Sequence, residues 1–297
     1  MQQVPSYVLI TPARDEAQFI ELTINSVVAQ SVRPISWVIV SDGSTDGTDE
    51  IVSKYAAEYP WIELIRMPDR QGRDFAGKVH AFNAGYARVK GLGYQVIGSM
   101  DADISFESDY FSFLLTKLTK DPELGLVGTP FREGPNIVYD YGIVGLDHVS
   151  GACQLFRREC FEGIGGYVPV KSGGVDTIAV MAARMKGWKT RTFIEKAFTH
   201  NREMGTAQQG TLKARYKLGI KDYSFGNHPV WEFLRAAYQM TKRPFFLGGL
   251  FLAAGYASAL TRRAEKPIPE EMVAFRRREQ IRRLRSLLKR TSPSSLE

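Results

Sequence analysis

Four short stretches of the chain place reactive side chains where a ligand could meet them. Asp101-Ala102-Asp103 follows directly on an apolar run, Tyr94 to Ser99. Two carboxylates this close repel each other, and a divalent cation between a carboxylate and substrate oxygens is an economical way to hold them; a solvated turn is the plainer alternative. Asp42-Gly43 opens the acidic, glycine-rich stretch Ser41 to Thr48, again after an apolar run. Ser44 or Thr45 there suits a helix cap, and Asp46 a first helical turn. Capping leaves Asp42 over, as a hydrogen-bond acceptor for a nucleobase or ribose. Asp176 follows Gly173-Gly174 at the start of a stretch with helical apolar spacing. It would serve equally as a general base at a cleft or as a charge favouring the helix N-terminus, worth about 0.3–1 kcal/mol. His200-Asn201-Arg202 closes the set: the histidine could complete a metal site and the arginine neutralise a phosphate, although a lone histidine is more often an ordinary core or surface residue.

The elements that must carry these groups follow from the period of the apolar residues. Tyr7 to Ile10 is a short strand-like run ending at Thr11-Pro12. Ile20, Ile24, Val27 and Val28 then repeat at helical spacing within residues 15–29. The pattern recurs with a strand over Trp37 to Val40 and a helix over 46–57, then a strand over Ile62 to Ile65 and a helix over 77–89. A further strand covers Tyr94 to Ser99, and another Thr190 to Phe193. Such alternation predicts an α/β fold with a mostly parallel, Rossmann-like sheet covered by helices, in which ligands bind at the carboxyl ends of strands. The polar motifs fall at those ends. Thr11-Pro12-Ala13-Arg14 stands where a Gly-x-Gly-x-x-Gly turn would, and no Gly-x-x-x-x-Gly-Lys-Ser/Thr occurs, which argues against a nicotinamide enzyme and a P-loop NTPase.

The chain has 297 residues, 44% hydrophobic and 24% charged, a composition that excludes disorder, collagen and a disulfide-stapled miniprotein. Its net charge of +7 is concentrated in residues 261–297, where eleven basic residues face five acidic ones. The body is close to neutral, so the basic tail points to an anionic membrane surface rather than nucleic acid, for which no binding module is present. Cys153 and Cys160 lack metal-type spacing and read as reduced packing residues of a cytoplasmic protein. The N-terminus has no secretion-signal pattern. Pro244 to Thr261 is uncharged over 18 residues, the lower edge of what crosses a bilayer, and a single crossing would put basic residues on both sides. A helix or hairpin lying in the cytoplasmic interface is therefore expected. In residues 270–290, Val273, Ile281, Leu284 and Leu288 share a face ringed by arginines, which suits either anionic headgroups or packing on the protein itself. These shifts predict a body over 1–229 and a helical membrane-associating extension over 230–297.

Taken in order, VLITPARDEAQFIELTINSVVAQ, VIVSDGSTDGT, GKVHAFNAGY, VIGSMDADISF, SGACQLFRRECFEGIGGY, GGVDTIAVMAARMKGWKT and the histidine of KAFTH resemble family 2 glycosyltransferases of the GT-A fold. The resemblance runs over roughly residues 7–200 and implies that residues 1–229 form the catalytic domain, with a nucleotide-binding half to about 103 and an acceptor half over 104–229. It implies nucleotide contacts from Thr11, Pro12, Ala13, Arg14 and Glu16, from Asp42 and Gly43, and from Lys78, Asp101 and Ala102. It further implies that Asp103 and His200, with Asp101, hold Mg²⁺ or Mn²⁺, that Asp176 is the base, and that Arg202 holds phosphate. The activity implied is a metal-dependent, inverting transfer from a nucleotide-sugar, UDP by default with GDP and dTDP open, to a lipid-linked saccharide or other membrane-presented acceptor at the cytoplasmic face of the membrane. AQQGTLKARYKLG is similar to the Gln-x-x-Arg-Trp element of processive synthases but lacks its tryptophan, so one sugar per encounter is expected. Transfer to a polyprenyl phosphate, which needs no base, and a non-catalytic scaffold of the same fold are the alternatives.

Overall fold

A computed structural model describes residues 4–68, 75–132, 145–170, 173–202 and 210–291. The chain divides into two compact units, residues 1–203 and 204–297.

The first unit is built on a seven-stranded sheet in the order β3-β2-β1-β4-β8-β6-β9. The strands are β1 (Tyr7–Ala13), β2 (Ser36–Ser41), β3 (Ile62–Arg66), β4 (Val96–Met100), β6 (Leu124–Gly128), β8 (Cys153–Arg157) and β9 (Lys189–Thr192). β5 (Ile104–Ser105), β7 (Phe131–Arg132) and β10 (Phe198–His200) form a second, three-stranded sheet. All pairs in the large sheet are parallel except those of β8, which runs antiparallel to both β4 and β6. The apolar runs of β1 and β2 have no polar alternation because both faces are covered. Tyr7 and Leu9 join Ile20, Ile24 and Phe111 on one face; Val8 and Ile10 join Val79, Phe82 and Val180 on the other. The sheet is thus sandwiched, and its carboxyl edge is left to carry the polar motifs.

β1 continues three residues past the expected break at Thr11-Pro12. Pro12 is tolerated because β4 pairs with β1 only as far as Ile10, so the proline's missing N–H falls on an open side while Ala13 accepts from the Asp42 amide at 2.9 Å on the β2 side. The first helix starts at Ile20, later than its apolar spacing suggests, after a loop in which Asp15 has φ 54°. The helix Thr48–Glu58 is not capped by Ser44 or Thr45: Asp46 Oδ1 accepts from the Thr48 amide at 3.1 Å, while the Ser44 and Thr45 amides turn to Ser41 and Asp15. Cys153 and Cys160 are free thiols in the core.

The second unit is helical, with Thr211–Ser224, Pro229–Met240, Leu247–Thr261 and Glu270–Thr291. The division falls at 203/204 and not at 229/230 because Thr211–Ser224 packs with Leu247–Thr261. A Cβ on Gly219 would lie 2.0 Å from the Leu252 carbonyl, and one on Gly255 2.0 Å from the Tyr216 carbonyl, so the two backbones touch where no side chain fits. Among the described residues no helix is long and apolar enough to cross a membrane. The basic C-terminal helix turns the start of its apolar stripe toward protein: Met272 and Val273 are buried, Val273 against Gly226, and Arg276 donates to Asn227 Oδ1 at 2.7 Å. Ile281 and Leu284 are half-buried, and the side chain of Leu288 lies outside the described residues. Beneath this helix, Asp222 pairs with Arg235, and Glu232 accepts from Asn227 at 2.9 Å.

Candidate active site

Asp101 and Asp103 lie at the carboxyl end of β4, where the chain turns into β5. The turn is held by the Thr23 hydroxyl, which donates to the Ala102 carbonyl at 2.7 Å, and by the Asp101 amide, which donates to the Ala152 carbonyl at 2.8 Å. His200 reaches the turn because β10 pairs antiparallel with β5, setting His200 opposite Ile104, and Asn201 donates its amide to the Asp103 carbonyl at 2.8 Å. The result is one ligand-bearing atom from each of Asp101, Asp103 and His200 within 4.8 Å of one another. Two very short strands of the three-stranded sheet thus join residues almost a hundred positions apart.

The donor set fits a hard divalent cation. His200 Nδ1 lies 2.6 Å from the Arg202 carbonyl, which can only accept, so the ring proton sits on Nδ1. Its Nε2, 3.7 Å from Asp103 Oδ1, keeps a lone pair facing the carboxylates in the neutral ring. Asp103 and His200 are both nearly buried, and two carboxylates with one imidazole match Mg²⁺ or Mn²⁺. Beside them Asn201 Nδ2 is buried with no hydrogen-bond partner among the described residues, an amide donor able to meet a ligand oxygen.

Two cations currently neutralise this cluster. Lys78 Nζ, from the helix Phe75–Val89, pairs with Asp101 Oδ1. Arg202 Nε donates to Asp103 Oδ2 at 3.2 Å, its Nη2 holds Glu16, and its guanidinium lies 5.1 Å from the Phe19 ring centre. Burial raises the Asp101 carboxyl pKa, Asp103 pushes the same way, and Lys78 offsets part of the rise. For Lys78, burial alone would lower the ammonium pKa, but Asp101, with Asp176 and Asp103, reverses this and holds it above its ordinary value. For Arg202 burial likewise pulls down, and Glu16 and Asp103 more than restore it.

Asp42 directly follows β2 and is 6% exposed, with Arg14 Nη1 3.7 Å from its Oδ2. The loops after β1 and β2 are stitched together. The Asp15 amide donates to Ser44 Oγ, the Glu16 amide to Thr48 Oγ1 at 2.8 Å, and the Ala17 amide to Asp46 Oδ2 at 2.9 Å. Pro12, Arg14 and Glu16 are half-buried, and Gly43 has φ 71°. Three other positions turn inward. The Thr11 hydroxyl is buried and accepts from the Trp37 indole at 3.0 Å, and Ala13 and Ala102 belong to the hydrophobic core. Their side chains pack the site from beneath, leaving only backbone for a ligand.

Asp176 lies in the first turn of the helix Val175–Met185, two residues after Gly174 at φ 85°. It lies against Gly151: a Cβ there would stand 2.7 Å from Asp176 Cβ and 3.0 Å from its Oδ2. Asp176, like Asp101 and Asp103, favours the charged Lys78 ammonium electrostatically, while only Asp101 pairs with it directly. Gly151, Asn201, Thr23 and Phe19 are contributors that sequence reasoning passes over. Each acts through contacts that no spacing rule announces.

Residues 8–145 match the sequence model of glycosyl transferase family 2. A hyaluronan synthase of Pasteurella multocida is 30% identical over 132 residues, 44% of this chain and 13% of that protein. The chain spans less than half the length of the curated relatives it matches. A mannosyltransferase of Pyrobaculum calidifontis, solved with GDP-Man and Mn²⁺, superposes with a TM-score of 0.58 at 19% identity, covering 98% of this chain and 82% of that one. The S. aureus protein TarS, residues 1–349 with UDP-GlcNAc, gives 0.56 at 13% identity, covering 86% and 73%. The fold is therefore that of the GT-A glycosyltransferases.

Proposed function

We propose that the chain is a metal-dependent, inverting glycosyltransferase that moves one sugar from a nucleotide-sugar to a lipid-linked saccharide or other membrane-presented acceptor. The observation that carries the reading is the convergence of Asp101, Asp103 and the Nε2 lone pair of His200 within 4.8 Å, beside Lys78 and Arg202, at the carboxyl edge of a GT-A sheet. The family match over residues 8–145 supports a nucleotide-sugar donor.

In this reading Asp42 and Arg14 hold the nucleoside, and Asp103, His200 and Asp101 hold the cation. When bound, that cation supplies positive charge where the leaving diphosphate becomes negative. Lys78 and Arg202, which pair with Asp101 and Asp103, would offer their charge to phosphate oxygens, with Asn201 Nδ2 as a further donor. Asp176 takes the proton of the acceptor hydroxyl while that oxygen bonds to the anomeric carbon and the bond to the diphosphate breaks, so one displacement inverts the centre. Gly151 leaves the Asp176 carboxylate the room to do so.

The test is calorimetric titration of UDP, GDP and dTDP into the folded protein with and without Mn²⁺, repeated on Asp103→Ala. Manganese-dependent binding of one nucleotide, lost in the variant, is the expected result. Absence of binding by all three to folded wild-type protein would refute the reading and favour a scaffold.

A further inference from the structure

The helix Leu247–Thr261 breaks the ordinary rule for a surface helix, which is apolar on one side and charged on the other. It carries no charged residue at all. One side is occupied by Gly255, Leu252 and Tyr256 against the helix Thr211–Ser224. The opposite side is exposed and equally apolar, with Leu247, Leu250 and Leu260 at 47, 55 and 46% exposure. The preceding helix, Pro229–Met240, does the same with Val230, Phe233 and Leu234. Between them the turn presents Phe245 and Phe246, and Phe246 is 75% exposed although its backbone stands at φ 56°, a conformation a bulky side chain adopts only under constraint. Contiguous exposed apolar side chains of this kind mark an interaction site.

Charge selects the occupant. From Thr241 to Ala264 there is no acidic residue, and exposed cations bracket the apolar helix: Lys242 and Arg243 before it, Arg262 and Arg263 after it. The helix of 15 residues is about 22 Å long, short of the ~30 Å hydrocarbon layer. Lying flat, it sinks an apolar side into the boundary while both ends reach headgroups. We propose that this helical hairpin, residues 229–263, docks on an anionic lipid bilayer through Phe233, Phe245, Phe246 and Leu250, with Lys242, Arg243, Arg262 and Arg263 at the headgroups. The inference deepens the reading of a membrane-presented acceptor. It narrows the contact to this hairpin, because the first apolar residues of the basic C-terminal helix are covered by protein.

The test is flotation of the full chain with phosphatidylcholine vesicles lacking or containing 30% phosphatidylglycerol, with no nucleotide present, so that it is independent of sugar transfer. Wild type is expected to float only with the anionic vesicles. Phe233→Ser with Phe246→Ser should weaken partitioning at least tenfold, and Lys242→Glu with Arg243→Glu should abolish the preference for anionic lipid. All four side chains are exposed, so melting temperatures and manganese-dependent nucleotide binding should stay at wild-type values. Equal flotation of wild type and the phenylalanine variant would overturn the proposal. So would a wild type that ignores vesicles but sediments as a dimer dissociated by the same substitutions, since a second copy would then be the occupant.

Discussion

Replacing Gly151 by alanine tests the role of Asp176 without touching its chemistry. The added methyl would sit 2.7 Å from Asp176 Cβ, 2.9 Å from Cγ and 3.0 Å from Oδ2. Carbon atoms rest about 3.5–4.0 Å apart, so the carboxylate must retreat by about 1 Å. A displacement of that size at a reacting group lowers turnover about a hundredfold, equivalent to about 2.7 kcal/mol of barrier. Crowding would destabilise the fold by about 1–3 kcal/mol, partly offset by the stiffer unfolded chain. The assay is release of nucleoside diphosphate in the presence of acceptor, with nucleotide binding followed separately by calorimetry. Turnover should fall about a hundredfold while the nucleotide dissociation constant stays within twofold. Adding Gly151→Ala to Asp176→Asn should then have little further effect, because both remove the same function. Turnover within twofold of wild type in Gly151→Ala would show that the position of Asp176 is irrelevant to the chemistry, as a phosphate acceptor needing no base requires.

Three further outcomes follow from the same contacts. Arg202→Gln removes a cation from Asp103 and Glu16, so Mn²⁺ alone should bind a few-fold tighter while the nucleotide diphosphate, deprived of a partner, binds about tenfold weaker; titration of each ligand separately reads the opposing signs. His200→Ala should weaken Mn²⁺ at least tenfold in an electron paramagnetic resonance titration, with Asp42-side nucleotide affinity in the absence of metal unchanged. Burial and Asp222 push the Glu232 carboxyl up to about 7, above its ordinary 4.5. The folded protein then holds that proton where the unfolded chain has lost it, so this group's contribution to stability is whole below pH ~4.5 and declines as the pH rises to about 7. Glu232→Gln should flatten that decline and stabilise the protein at pH 8 by on the order of 2 kcal/mol, measured by denaturant unfolding at pH 5 and pH 8.

What the sequence made legible was the content of strand ends. The apolar runs of β1, β2 and β4 are long enough to fix a two-faced sheet, and Asp42, Asp101 and Asp103 stand where such a sheet exposes its edge. His200 is set against Asp103 by the pairing of two very short strands, β5 and β10, whose periodicity is below what a pattern can register. The hidden positions of Thr11, Ala13 and Ala102 escaped because a turn motif does not say which of its side chains face the core. In the helical unit, uncharged composition described Pro244 to Thr261 correctly but not its partner. That depended on hydrogen atoms at Gly219 and Gly255, which a hydropathy pattern reads as mere absences.

The reversed strand β8 has a mechanical consequence. Because it runs against β4, its beginning, with Gly151 just before it, lies beside the end of β4, and the Asp101 amide bonds to the Ala152 carbonyl. The wall behind Asp176 and the anchor of Asp101 are therefore joined through one peptide link, one residue from each. Thermal displacement of either must drag the other, so fluctuations at this edge are correlated.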